Sequence, residues 1–99
     1  MPQRIIVYWR DIPAQVIIKQ GRTTAKRQLP ERFEQSIDMA AMRAGKRDTD
    51  AYLAEWRKSD PEAIEGDDLE ALASAEAARI EAEYTAERVK ALIEKGGVA

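Results

Sequence analysis

The sequence predicts an α+β fold: an N-terminal antiparallel β-hairpin, three-stranded if a polar segment joins it, packed against helices and followed by a long C-terminal helix. Three observations carry this. Two short runs rich in β-branched residues, Arg4–Arg10 and Ala14–Lys19, flank Asp11-Ile12-Pro13. Behind Pro30, apolar residues recur at three- and four-residue steps, the period of a helix with one buried side. Beyond Asp67 the chain turns to Ala and Glu, both strong helix formers.

In the first run Ile5, Val7 and Trp9 fall on one side of a strand, and Ile6 and Tyr8 on the other. With both sides apolar, this strand is central in its sheet or covered on both faces. Val16 and Ile18 oppose Ile17 in the second run. Asp11 and Pro13 supply the turn, since Asp favours turn starts and Pro fixes one dihedral. A two-stranded hairpin is marginal in water, so something must complete the sheet. Residues 22–28 do so as a polar edge strand, or they stay a loop and a second copy of the chain provides the edge. Lys26 and Arg27 suit an edge strand, where charge discourages aggregation.

The first helix is expected from Pro30 to Ala44, with Gly45 as its stop. Leu29, Phe33, Ile37, Ala40, Ala41 and Ala44 make its apolar stripe, flanked by Met39 and Met42. Lys46 and Arg47 complement its negative end. A second helix, capped by Asp48 or Thr49, is expected through Lys58, with Tyr52, Leu53 and the core anchor Trp56 on one side. These two helices are expected to cover one face of the sheet.

An acidic linker, 59–66, then separates the 1–58 core from the last helix. Asp67 and Glu70 read as a capping box opening that helix, which runs to Lys95 before Gly96-Gly97. A rod of this length spans about 42 Å, more than the roughly 32 Å breadth of so small a domain. Its apolar residues are thinly spread. It docks on a partner, bends back near residues 73–78, or frays into solvent; residues 67–95 are then either part of the same domain or a docking extension. Ile80, Tyr84, Val89, Leu92 and Ile93 are its candidates for meeting a partner helix.

The chain has 99 residues, 44% of them hydrophobic and 34% charged, which fits one folded domain. It shows no apolar run of transmembrane length and no signal-peptide core, so a cytoplasmic location is expected. Histidine and cysteine are both absent. That excludes disulfides, thiol nucleophiles, Cys/His zinc sites and imidazole acid–base chemistry. No catalytic residue, metal ligand or cofactor is assigned. Residues 1–47 hold ten basic and four acidic side chains, and residues 48–99 hold six basic and fourteen acidic ones. The split either joins the halves or offers a positive face to an acidic partner.

Arg22, Thr23, Thr24, Lys26 and Arg27, beside Gly21, form the one candidate for gripping an anion or an acidic partner, through hydroxyl donors and charge. They do not match a phosphate-loop pattern. An isoelectric point near 5.2 and the lack of any basic recognition helix argue against nucleic acid. Read from its residues, the chain is a non-enzymatic protein-interaction module with an unidentified protein partner, a second copy being one candidate. The alternatives are an accessory subunit and a nucleic-acid- or anion-binding module using the basic half.

At "YWRDIPAQVI", "AKRQLPERFEQSIDMAAMRAG" and "DAYLAEWR" the chain resembles a small bacterial family labelled virulence factor, a domain found also in larger conserved virulence factor C proteins. The resemblance covers roughly residues 4–58. It carries no catalytic residues with it. It implies an accessory subunit for a folate- or corrinoid-linked one-carbon enzyme.

Overall fold

A computed structural model describes residues 1–46 and 48–99. The elements follow in the order β1 (Gln3–Trp9), β2 (Ile12–Gln20), β3 (Thr23–Gln28), α1 (Glu31–Arg43), α2 (Thr49–Leu53), β4 (Trp56–Lys58), β5 (Glu62–Ala63), α3 (Leu69–Glu83) and α4 (Ala86–Glu94). The α+β reading holds, and the polar segment is the third strand. All pairings are antiparallel, in the order β3-β2-β1-β4, with β5 beside the other half of β1.

Turn chemistry sets the register of the first hairpin. Arg10 takes a left-handed conformation, φ 54°, between Trp9 and Asp11, which closes the chain within two residues. Val7 faces Gln15 but Tyr8 faces Pro13, so Ala14 is bulged out of the ladder. A bulge is one of the few places a strand tolerates proline. The displaced Ala14 carbonyl accepts from the Leu29 N–H at 3.0 Å, and this bond leads the chain from β3 into α1.

The other edge of β1 is filled by a broken strand. β4 pairs with Val7–Trp9 and β5 with Gln3 and Arg4. Between them Ser59 bridges: its N–H donates to the Ile6 carbonyl at 2.9 Å, and its hydroxyl accepts from the Ile6 N–H at 2.8 Å. The ladder is interrupted between β4 and β5, and the serine hydroxyl there gives a strand N–H the acceptor it would otherwise lack. Residues 59–66 are thus partly sheet, where a linker was expected. The second helix is likewise shorter than its pattern implied. It ends at Leu53, because the open edge of β1 recruits residues 56–58. Arg47 of the expected helix-end pair lies outside the described residues.

Register puts Ile6, Val16, Ile18 and Ala25 on one face, all buried. The helix that lies on β2 and β3 is α3, where α1 and α2 had been expected; α1 packs on β2 and α4. Phe33, Ile37, Ala40 and Ala41 of α1 close the core together with Ala73, Ala77, Ile80, Val89 and Leu92. Trp9 is fully buried, its indole donating to the Tyr52 carbonyl at 2.9 Å and stacking on the Tyr52 ring at 5.8 Å.

The long C-terminal helix is two helices. Tyr84 (φ −92°, ψ 76°) interrupts it, and the Thr85 hydroxyl caps α4 by accepting from the Arg88 N–H at 3.2 Å. The expected bend near residues 73–78 falls later, at Tyr84–Thr85. The cap of α3 is also displaced by one residue: Asp68, rather than Asp67, accepts from Ala71 N–H. Folded back in this way, residues 69–94 supply core to the first half. Gly96 and Gly97, with positive φ, end α4; their N–H groups donate to Ile93 and Leu92 carbonyls.

A part-buried ion cluster locks α3 to the sheet. Arg4 on β1 bonds Glu76 at 2.9 Å and also pairs with Glu62, while Arg79 bonds Glu76 at 2.8 Å. Burial alone would raise the Glu76 carboxyl, but hydrogen bonds and charge from Arg79 and Arg4 outweigh it and hold the group below the usual carboxylate range.

Candidate interaction surface

The anion candidates from the sequence do not converge. Arg22 lies at the β2–β3 turn, and Thr23, Thr24, Lys26 and Arg27 alternate along edge strand β3, all exposed. Thr23 and Thr24 share a shallow recess with Asp67, Asp68 and Glu70. That acidic neighbourhood opposes an anion at the two hydroxyls.

Of the partner-helix candidates, Ile80, Val89 and Leu92 are buried in the chain's own core. A partner reaches them only if the domain opens. Tyr84 and Ile93 keep part of their surface.

The exposed apolar surface lies instead on α1. Met39 is 55% exposed and Met42 58%. They sit three residues apart, hence on one side of the helix. The inward side of the same helix is already taken by Ile37, Ala40 and Ala41, so no core position remains for the thioethers. Ile93 and Glu94 of α4 stand across from them, and the two helices enclose an open groove of about 490 Å³ that Arg43 and Lys90 also line. Among the described residues neither of these cations pairs with a carboxylate. Met42 also borders a recess of about 270 Å³ lined by Asp38, Ala41, Lys46 and Tyr52. Tyr52 is held above its ordinary pKa by burial, then by the charge of Asp38 and Glu34, so its phenol stays protonated.

The sequence placed Met39 and Met42 beside the stripe but gave them no role. The signal was there: with the stripe already filling the face toward the sheet, two further apolar side chains widen it past what one contact covers. Among the described residues no three acidic side chains gather into a metal-binding group.

A five-stranded antiparallel sheet, backed by α3 and closed by α1 and α4, with an apolar groove on its helical side, defines a small α+β domain. The chain belongs to the virulence factor family, whose model matches residues 7–93. The match runs through the Ala/Glu-rich segment, beyond the 4–58 stretch that carried the resemblance, in keeping with α3 and α4 being part of the domain. Comparison with curated proteins and with solved structures finds no significant match.

Proposed function

We propose that the protein is a non-enzymatic interaction module that seats an acidic amphipathic helix of a partner protein in the α1–α4 groove. The observation that carries this is the pair Met39 and Met42, each more than half exposed, side by side and facing Ile93. Thioether side chains are flexible and polarizable, and they recur on surfaces that receive helices of varied sequence. The rim decides the charge of the occupant. Arg43 and Lys90 outnumber Glu94 and stand without carboxylate partners among the described residues, so an occupant bearing Glu or Asp beside its apolar stripe is favoured over a basic one. The absence of His and Cys supports docking over catalysis. An accessory subunit of a larger enzyme is one form such a module takes.

The test is a titration of methyl-labelled protein with an 18-residue helical peptide of Leu and Glu, and with the same peptide carrying Lys in place of Glu. The expected result is saturable shifts at Met39, Met42 and Ile93 with the acidic peptide, and binding at least tenfold weaker with the basic one. Met42→Glu should abolish the response to the acidic peptide. Equal binding of the two peptides, or shifts away from the groove, refutes the reading. So does a chain that dimerises through Met42 and excludes the peptide, because the occupant is then a second copy.

A further inference from the structure

The strongest unassigned feature lies where the α3–α4 break meets the sheet. A cleft of about 320 Å³ opens there between Tyr8 of β1, Arg57 of β4, Ser59, and Tyr84 and Arg88 across the break. From these residues the geometry points to a binding site for a small oxyanion-bearing molecule, a carboxylate or a phosphate monoester, gripped by Arg57 and Arg88.

Each guanidinium is held against an aromatic ring. The Arg57 Cζ lies 4.4 Å from the Tyr8 ring centroid, and the Arg88 Cζ lies 4.0 Å from that of Tyr84. Stacking by the flat face leaves the N–H edges available, and those edges match the paired oxygens of a carboxylate or phosphate. Arg57 is fixed further: its Nε donates to the Arg10 carbonyl at 2.8 Å and one terminal nitrogen to Asp11 at 3.0 Å.

Asp11 is the one carboxylate among the cleft's side chains, and both its oxygens are engaged. One accepts from Arg57 and the other from the Ala99 N–H at 2.7 Å. It therefore orients one arginine without neutralising both. Arg88 donates to the Glu83 carbonyl at 3.3 Å, and among the described residues it forms no salt bridge with an acidic side chain.

Hydroxyl donors complete the site. The Ser59 oxygen accepts from Ile6 N–H, and among the described residues its own proton has no acceptor, so it can point to a ligand. Burial, then the neighbouring Tyr8, raises the Tyr84 pKa, so its phenol remains a donor at neutral pH. The cleft is at the small end for ligand pockets and suits a compact molecule with the buried Leu92 as its apolar wall. The site and the α1–α4 groove share no residue, so each stands or falls alone.

The experiment titrates nitrogen-labelled protein with inorganic phosphate and, separately, with benzoate, following the arginine side-chain and Ser59 amide resonances. The expected result is saturable shifts at Arg57, Arg88 and Ser59 with at least one probe. Arg88→Ala should weaken that binding at least tenfold, and Arg88→Lys should recover only part of it. Arg22→Ala, at the exposed β2–β3 turn, should leave it within twofold. No saturable shift with either probe overturns the assignment, as does equal weakening by Arg22→Ala and Arg88→Ala, which marks diffuse surface charge. Because Arg88 is exposed, its replacement leaves the core intact, and an unchanged tryptophan emission spectrum verifies this.

Discussion

Ile80→Ala asks whether the C-terminal half is core or appendage. Ile80 is 2% exposed and packs within the hydrophobic core cluster. Truncation to Ala removes three heavy atoms. At about 0.8 kcal/mol per buried carbon the transfer loss is about 2.4 kcal/mol, and the residual cavity carries the cost to about 3–4 kcal/mol. Met42→Ala also removes three heavy atoms, but from a side chain 58% exposed, and should cost about 1 kcal/mol or less. The two variants hold the number of deleted atoms constant and vary only burial. Urea unfolding followed by tryptophan fluorescence reads the difference, since Trp9 is fully buried. With a slope of about 1–3 kcal/mol per molar for small domains, Ile80→Ala should lower the midpoint by about 1–4 M. A loss within about 0.5 kcal/mol of the Met42→Ala value would refute the reasoning. A cooperative transition at an unchanged midpoint from a chain ending at residue 73 would refute it equally.

Two further outcomes follow from the packing. Glu76 has a folded-state pKa below its unfolded value near 4.3, so its contribution is present above that pH and is lost as pH falls through the folded value. Glu76→Gln should cost about 1–2 kcal/mol at neutral pH, between the values for exposed and buried pairs, and the gap to the unmodified protein should narrow below about pH 4 in acid-unfolding curves. Gly97 has φ +96°, and a Cβ there would stand 2.8 Å from the Trp9 ring. Gly97→Ala should cost about 2–4 kcal/mol through overpacking and backbone strain together. Gly21→Ala, with φ +59° and open space around it, should cost only the backbone part, about 1–2 kcal/mol; thermal melts of the two variants check the contrast.

Local patterns carried much of the fold. β-branched runs around Asp11 and Pro13 gave the hairpin, and Pro30 and Gly45 bracketed the first helix to within a residue or two. What escaped depends on neighbours. Tyr52, Leu53 and Trp56 keep helical spacing, and nothing within that stretch tells that β1 offers an open edge to Trp56–Lys58. The break at Tyr84 lay among strong helix formers, though Thr85 with Glu87 just after it is a helix-start signal that can be read locally. The candidate sites were less legible still. Arg57 and Arg88 are 31 positions apart and meet only through the sheet edge and the helix break. Met39 and Met42 look like core until the capacity of the interior is known.

The tip of the first hairpin is fastened by residues 96 and 97. Arg10 donates to the Gly96 carbonyl, 86 positions later, and Asp11 N–H to Gly97. Gly97 also lies against the face of Trp9. Trp9 therefore stays uncapped on one side until residue 97 has docked, and closure of the domain couples segments 86 positions apart. A chain cut before Gly96 would leave β1 and the hairpin tip without the contacts that close them.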